Sequence, residues 1–304
     1  MIQTVKGPLM PEKLGITMSH EHLALNLSRI RKEDDSDFSC EQVIIEEIRQ
    51  MMEYGVRSVV EVTCNDMGRD VRQLVRISDA CNLNIICATG YYLSPYHPDY
   101  VVHGEIEEIT DLICHDILEG IDGTGVRAGV IGEVASSKDE IMPSEKKVLQ
   151  AAARASVLTG FAVTTHCQLG TMALEQSALL QKEGMNPDNI VLGHIDLADD
   201  RDYHLEILKT GVNIGFDTIG KISYLSDERR ADNLMWLVEK GYEDHIVLSQ
   251  DISRKSYFAR NGQYSGYMTV MKDFVPLLKR RGIKEKTLCK LLAYNPARIF
   301  DVRE

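Results

Sequence analysis

FAVTTHCQLGTMALEQSALLQKEGMNPDNIVLGHI, residues 161–195, decides the fold. It opens on a short apolar, β-branched run, Phe161–Cys167. An amphipathic stretch follows from Thr171 to a glycine at Gly184, and a second apolar run covers Asn189–Ile195. Strand, helix and strand in about 35 residues make one parallel crossover unit. The second run, with VLGHID at its end, is apolar on both faces, as a strand covered on both sides must be.

The same unit recurs outward in both directions. Strands are predicted at Gly15–His22, Arg57–Cys64, Asn84–Tyr91, Val126–Ala135, Phe161–Cys167, Asn189–Ile195, Val212–Thr218 and His245–Ile252. Helices are predicted at Cys40–Tyr54, Met67–Cys81, Glu105–Gly120, Pro143–Gly160, Thr171–Gly184, Asp202–Gly211, Ser226–Gly241 and Tyr267–Gly282. Pro143, Ser144 and Glu145 read as a helix start, and glycine follows or ends most of the helices. Eight strand–helix pairs without a break in composition predict one (β/α)8 TIM barrel, an α/β fold, as a single domain over residues 1–304. The 304 residues suit such a barrel better than an open doubly wound sheet.

Composition narrows the function classes. The formal net charge of −12 argues against nucleic acid or an anionic membrane surface as partner. Seven cysteines, odd in number, widely spaced and without CxxC, predict a reduced compartment. MIQTVKGPLMPEKLG at the start lacks the apolar stretch of a signal peptide, and no run approaches the ~18 apolar residues of a membrane span. A cytoplasmic protein acting on a small molecule is expected.

The histidines carry the chemistry. His20 and His22 form His-x-His at the end of the first strand, so both imidazoles face the barrel mouth. Glu133 ends the fourth strand in GVIGEV, His166 the fifth in VTTHC, His194 the sixth in VLGHID and Asp251 the eighth in IVLSQD. Taken singly, each has a plain structural reading, such as a hydrogen-bonded core histidine. Together they gather imidazole and carboxylate at the face where barrel enzymes place their sites. That donor set suits two divalent ions, zinc first, with manganese, cobalt or iron accepted. Glu133, with two oxygens, is the natural bridge between ions about 3.5–4 Å apart. The other five histidines, His97, His103, His115, His204 and His245, lie on helices or loops and are expected to be solvated or locally bonded.

MSHEHL, GEVASS, VTTHC, GHIDL, LSQDIS and the terminal NPARIF occur in that order from Gly7 to Phe300. In these motifs the chain resembles the phosphotriesterase family of the amidohydrolase superfamily, and its segments ACNLNIICATGYY, GIDGT and FDTIGK are similar to the bacterial homology-protein branch. The resemblance implies a binuclear hydrolase whose nucleophile is a hydroxide shared by the two ions. It implies that His20, His22 and Asp251 hold the more buried ion and His166 and His194 the more exposed one, with Asp251 also the catalytic base. Many members of the family bridge their ions with a carbamylated lysine. Glu133 stands at that position here, as in the homology-protein branch. The resemblance also allows a homodimer.

Substrate residues are sought in the loops. The only tryptophan, Trp236, falls inside the helix before the eighth strand, so no aryl-lined pocket for phosphotriesters is evident. The loop DISRKSYFARNGQYSG after the eighth strand is cationic. Arg254 and Tyr257 follow Asp251 by three and six residues, and Lys221 lies just past the seventh strand. A guanidinium fork, a point charge and a hydroxyl would bind phosphate. Solvated loop residues are the plain alternative. The Arg254 and Tyr257 spacing resembles a branch that opens phosphorylated sugar lactones, and Tyr92 is similar in place to a tyrosine that orients lactones, with packing as its alternative. The leading expectation is a lactonase for a phosphorylated sugar lactone. The alternatives are another carboxylic-ester or phosphoester hydrolase, phosphotriesters included, and a catalytically silent metabolite-binding barrel.

Overall fold

A computed structural model describes residues 1–302. Eight parallel strands follow one another around a barrel: β1 Ile16–Glu21, β2 Val56–Glu61, β3 Asn84–Thr89, β4 Val130–Ser136, β5 Val163–Cys167, β6 Ile190–Gly193, β7 Asn213–Phe216 and β8 Ile246–Leu248. The eight helices that follow them are α1 Glu41–Glu53, α2 Val71–Cys81, α3 Ile106–Leu118, α4 Pro143–Thr159, α5 Ala173–Lys182, α6 Arg201–Lys209, α7 Asp227–Glu239 and α8 Val275–Arg280. The predicted (β/α)8 barrel is therefore the observed fold.

Closure depends on a buried carboxylate. Glu21, between the two histidines of the His-x-His, turns away from the mouth toward β8. It accepts from Ser249 Oγ at 2.5 Å, Gln250 Nε2 at 2.8 Å and the backbone N–H groups of Gln250 and Ile252. Ser249 Oγ also lies 2.8 Å from the His20 carbonyl. These bonds fasten the first strand to the segment that follows the last one. Glu61 does the same between β2 and the loop after β1, accepting from Leu23 N–H and from Thr63 Oγ1.

Two apolar layers surround the strands. Inward-facing Val60, Ile86, Val130, Val191 and Val247 form a small cluster inside the barrel. Between strands and helices lies the larger layer, which includes Val59, Ile85, Ile131, Ile190 and Ile214. The alternation between neighbouring positions is the period-two signature of a pleated strand.

Several boundaries differ from expectation. An antiparallel hairpin, Ile2–Thr4 with Gly7–Leu9, precedes the barrel, and Ile2 joins Ile299 and Phe300 in the inner cluster. Helix α2 starts at Val71 rather than Met67, because Asp70 caps it by accepting from Gln73 N–H at 3.0 Å. The last expected helix, Tyr267–Gly282, is regular only over Val275–Arg280. Residues Val270–Phe274 before it wind in the wider π register, and Pro276, which has no N–H to give the preceding turn, is the reason. The same device recurs at Lys290–Tyr294 before Pro296. All seven cysteines are free. Among the described residues no helix is long and apolar enough to cross a membrane.

Candidate metal centre

The six predicted ligands converge at the carboxyl ends of the strands, and all are buried. His20 and Glu133 lie within β1 and β4, and His22 stands one residue past β1. His194 and Asp251 lie beyond strands that end earlier than expected, at Gly193 and Leu248. Both adopt left-handed backbone, at φ 62° and 49°. A residue with a Cβ is strained there by roughly 1–3 kcal/mol, a cost concentrated in functional segments.

Glu133 is the hub. Its Oε1 lies 3.3 Å from His22 Nε2, and its Oε2 lies 3.3 Å from His20 Nε2, 3.0 Å from His166 Nδ1 and 3.6 Å from His194 Nε2. Asp251 Oδ1 is 3.4 Å from His22 Nε2, and His194 Nε2 is 2.8 Å from His166 Nδ1. Ions with bonds of about 2.0–2.2 Å and ligand angles near 90–110° have donor–donor edges of roughly 2.8–3.6 Å. The spacing here is that of coordination edges. Two overlapping groups able to hold an ion are His20, His22 and Asp251, and His20, Glu133 and His194. His166 adjoins the second through its two short contacts.

Outer partners fix which nitrogen faces inward. Thr63 Oγ1 donates to Glu61 at 2.5 Å and so can only accept from His22 Nδ1, 2.9 Å away. That leaves the His22 Nε2 lone pair pointing into the cradle. His194 Nδ1 donates to Asp217 Oδ1 at 2.8 Å, and His166 Nε2 to Gln168 Oε1 at 2.5 Å. The inward nitrogens of His194 and His166 then face each other at 2.8 Å, a contact that a proton on His194 or a cation between them satisfies. Among the described residues neither nitrogen of buried His20 has a hydrogen-bond partner, although the Glu133 and Asp217 carboxylates lie 3.3 and 3.5 Å from them. The donors present therefore fit divalent ions.

Electrostatics agree. Burial opposes a charged His22, but the Asp251 and Glu133 carboxylates overcome it and raise the imidazole to about 10, so Nε2 holds a proton until a cation competes for that nitrogen. Burial likewise disfavours ionised Glu133, yet His20 and His166 hold it well below the usual carboxylate range. Asp251 is held low, against burial, chiefly by Lys221 and His22. Lys221 Nζ pairs directly with Asp251 Oδ2 and stays charged despite burial.

Asp217 escaped the sequence reading, although it stands at a strand end like the others. It follows Phe216 at the end of β7 and binds His194 through both the backbone N–H and Nδ1 at 2.8 Å, with His20 Nδ1 at 3.5 Å. Gly215 makes room for it, since a Cβ there would collide with the Asp217 carboxylate. Asp217→Asn should weaken metal binding by about 10–100-fold, the usual effect of losing a histidine's carboxylate partner. Competition against a chelator measures this, and an unchanged affinity would remove Asp217 from the site.

Above the cradle is a cavity of about 220 Å³. Tyr92, Lys221, Arg254 and Tyr257 all line it, as do the unforeseen Arg31, Gln168 and Tyr224. Tyr92 OH lies 3.4 Å from His166 Nε2. Lys221 Nζ sits 5.5 Å from the centre of the Tyr257 ring. Trp236 does not line the cavity; it packs on the outer ring between Arg201 and Lys240. Of the remaining histidines, His97 and His204 are buried and bond the Tyr92 and Ile195 carbonyls through Nε2 at 2.9 Å, while their Nδ1 atoms have no hydrogen-bond partner among the described residues.

Comparison with known proteins places these features. The phosphotriesterase family model matches residues 1–300. The phosphotriesterase homology protein of Escherichia coli strain K12 is 36% identical over 286 residues, covering 94% of this chain and 98% of that one. Its crystal structure, with phosphate in the active site, superposes with a TM-score of 0.93 over 95% of this chain and 99% of that one. A phospho-furanose lactonase of Mycoplasmopsis synoviae strain 53 is 33% identical over 98% of this chain and 91% of its own. A lactonase from Listeria monocytogenes, 29% identical, superposes with a TM-score of 0.94 over 100% of this chain and 99% of that one.

Proposed function

The chain belongs to the phosphotriesterase family, and from that membership we propose that it is a binuclear-metal hydrolase that opens a phosphorylated sugar lactone. The observation that carries the reading is the joining of a two-ion cradle to a polar, cationic cavity. Lys221, Tyr257 and Arg254 line that cavity beside Asp251. Its aliphatic lining, Leu27, Met67, Leu169 and Leu197, is scattered, and each of its aromatic rings, Tyr92, Tyr224 and Tyr257, carries a hydroxyl, which suits a polyhydroxylated sugar ester. The relatives named as lactonases support the same class.

In this reading His20, His22 and Asp251 would hold one ion and His166 and His194 the other, with the Glu133 carboxylate between the two sets. Zinc is the first candidate, and the donors also accept manganese, cobalt or iron. When bound, such ions lower the pKa of a shared water and polarise the ester carbonyl. Asp251 takes the proton from the attacking water and returns it to the ring oxygen as the ester bond breaks. Tyr92, beside His166, donates a hydrogen bond that orients the lactone. Lys221 and Tyr257 bind the phosphate together with a guanidinium at the cavity wall, so that distant binding energy positions the ester.

Because the bridge is the ready-made carboxylate of Glu133, reconstitution with metal should need no carbon dioxide. Bicarbonate added during loading leaves activity unchanged, and a clear gain would refute the bridging role.

The test compares a sugar γ-lactone with its 5-phosphate on zinc- or manganese-loaded protein, following proton release at pH about 8. We expect the phosphorylated form to lead in kcat/KM by a hundredfold or more, about 2.7 kcal/mol of transition-state binding. Two bound metals with neither lactone opened would reject this substrate and leave the broader ester or phosphoester class. No hydrolysis of any ester would favour a silent binding barrel.

A further inference from the structure

Two arginines reach the cavity, and their surroundings differ. Arg254 is engaged: its Nη1 lies 2.9 Å from Glu33 Oε1 and 3.5 Å from Asp35 Oδ2, and its side chain is 37% exposed. Asp35 in turn accepts from both the N–H and Oγ of Ser256 at 2.7 Å. These contacts clasp the loop after β1 to the loop after β8. Arg31, in the short turn Ser28–Arg31 of the same clasped loop, is partly buried and lines the cavity. Among the described residues it forms no salt bridge, and its one polar contact is Nε to Tyr96 OH at 3.2 Å. Tyr96 is held in turn by packing on Tyr92, ring centres 5.3 Å apart.

A partly desolvated guanidinium without a carboxylate is costly unless an anion completes it. The Tyr96 hydroxyl occupies Nε and leaves both terminal nitrogens for a planar, two-pronged contact. We infer that Arg31 supplies the guanidinium that binds the substrate phosphate, and that Arg254 is a positioning residue whose clasp with Glu33 and Asp35 holds Arg31 over the cavity. The phosphate class rests on the function proposed above; the free fork of Arg31 does not.

The experiment measures binding of D-ribose 5-phosphate and of D-ribose to the zinc-loaded full chain by calorimetry. It is repeated for Arg31→Met, Arg31→Lys and Arg254→Met, with lactone kinetics alongside. Arg31→Met should erase the preference for the phosphorylated sugar by thirtyfold or more. Arg31→Lys should recover part of it, since charge remains and the fork is lost. Arg254→Met should lose less than Arg31→Met, and Arg254→Lys, which keeps the clasp, should restore most of that loss. The inference is overturned if Arg31→Met stays within threefold of wild type, if Arg254→Met loses more, or if wild type shows no preference for the phosphate. Should the wild type bind ribose 5-phosphate through Arg31 and open no lactone, the lactonase reading fails and the anion site stands. Should lactones open with discrimination independent of Arg31, the anion assignment fails alone.

Discussion

The substitution Asp251→Asn should reduce turnover by about 10²–10⁴, the range lost when a positioned proton acceptor is removed. It keeps the shape of the side chain and one oxygen for coordination, so part of the metal should remain. What disappears is the ability to accept a proton. The Lys221 contact sharpens this outcome. In the native chain Lys221 pairs with Asp251 Oδ2 inside the cavity, and the carboxylate stays ionised against its burial. In the Asp251→Asn variant the ammonium loses its charged partner, and Ser253 Oγ at 3.4 Å is the remaining polar contact. Metal content and single-turnover rate, measured on the same sample, separate the two roles of the residue. A near-normal rate with two metals bound would reject Asp251 as the base. Loss of both metals would make the rate uninformative about proton transfer, and Asp251→Glu, which keeps the carboxylate, would then be the comparison.

The largest effect on stability is expected away from the metals. Arg230 on α7 is fully buried. Its Nε donates to Asp196 Oδ2 at 2.7 Å, Nη1 to Asp227 Oδ1 at 3.0 Å and Nη2 to Thr218 Oγ1 at 3.1 Å. Asp196 in turn accepts from the N–H groups of Asp217 and Thr218 and from Thr218 Oγ1. The pair thus fixes the segment after β7 that carries both Asp217 and Lys221. Arg230→Met leaves the Asp196 carboxylate buried without its cation, and breaking a buried pair from one side costs about 3–5 kcal/mol. For a chain of this size that corresponds to a fall in Tm of roughly 5–8 °C. The double variant Arg230→Met with Asp196→Leu removes both charges and should recover part of the loss. A single variant within about 1 kcal/mol of wild type would mean that water or a neighbour replaces the guanidinium at little cost.

Much of the molecule follows from short stretches of sequence read alone. Phe161–Cys167 and Asn189–Ile195 declare strands because they are short, β-branched apolar runs buried on both faces, and α5 between them because its burial repeats over three to four residues. Eight such units leave a closed barrel as the compact solution. The ligand types were equally legible, since barrel chemistry gathers at strand ends and His20, His22, Glu133, His166, His194 and Asp251 are imidazoles and carboxylates at those ends. Local reading failed where partners are distant in the chain. Glu21 looked like the filler of a His-x-His, but its bonds to Ser249 and Gln250 close the barrel across more than two hundred residues. Asp217 acquires its role only through His194 and His20. Arg254 and Arg31 have the same side chain, and nothing within a few residues distinguishes them. The difference is that Glu33 and Asp35 fold onto Arg254, while Arg31, among the described residues, meets a tyrosine hydroxyl and no carboxylate. Backbone periodicity is a property of neighbours, so the sequence by itself determined the barrel and the imidazole and carboxylate types gathered at its mouth. Charge pairing, tautomer and the left-handed turns at His194 and Asp251 depend on which segments meet in space, and only the tertiary structure decided them.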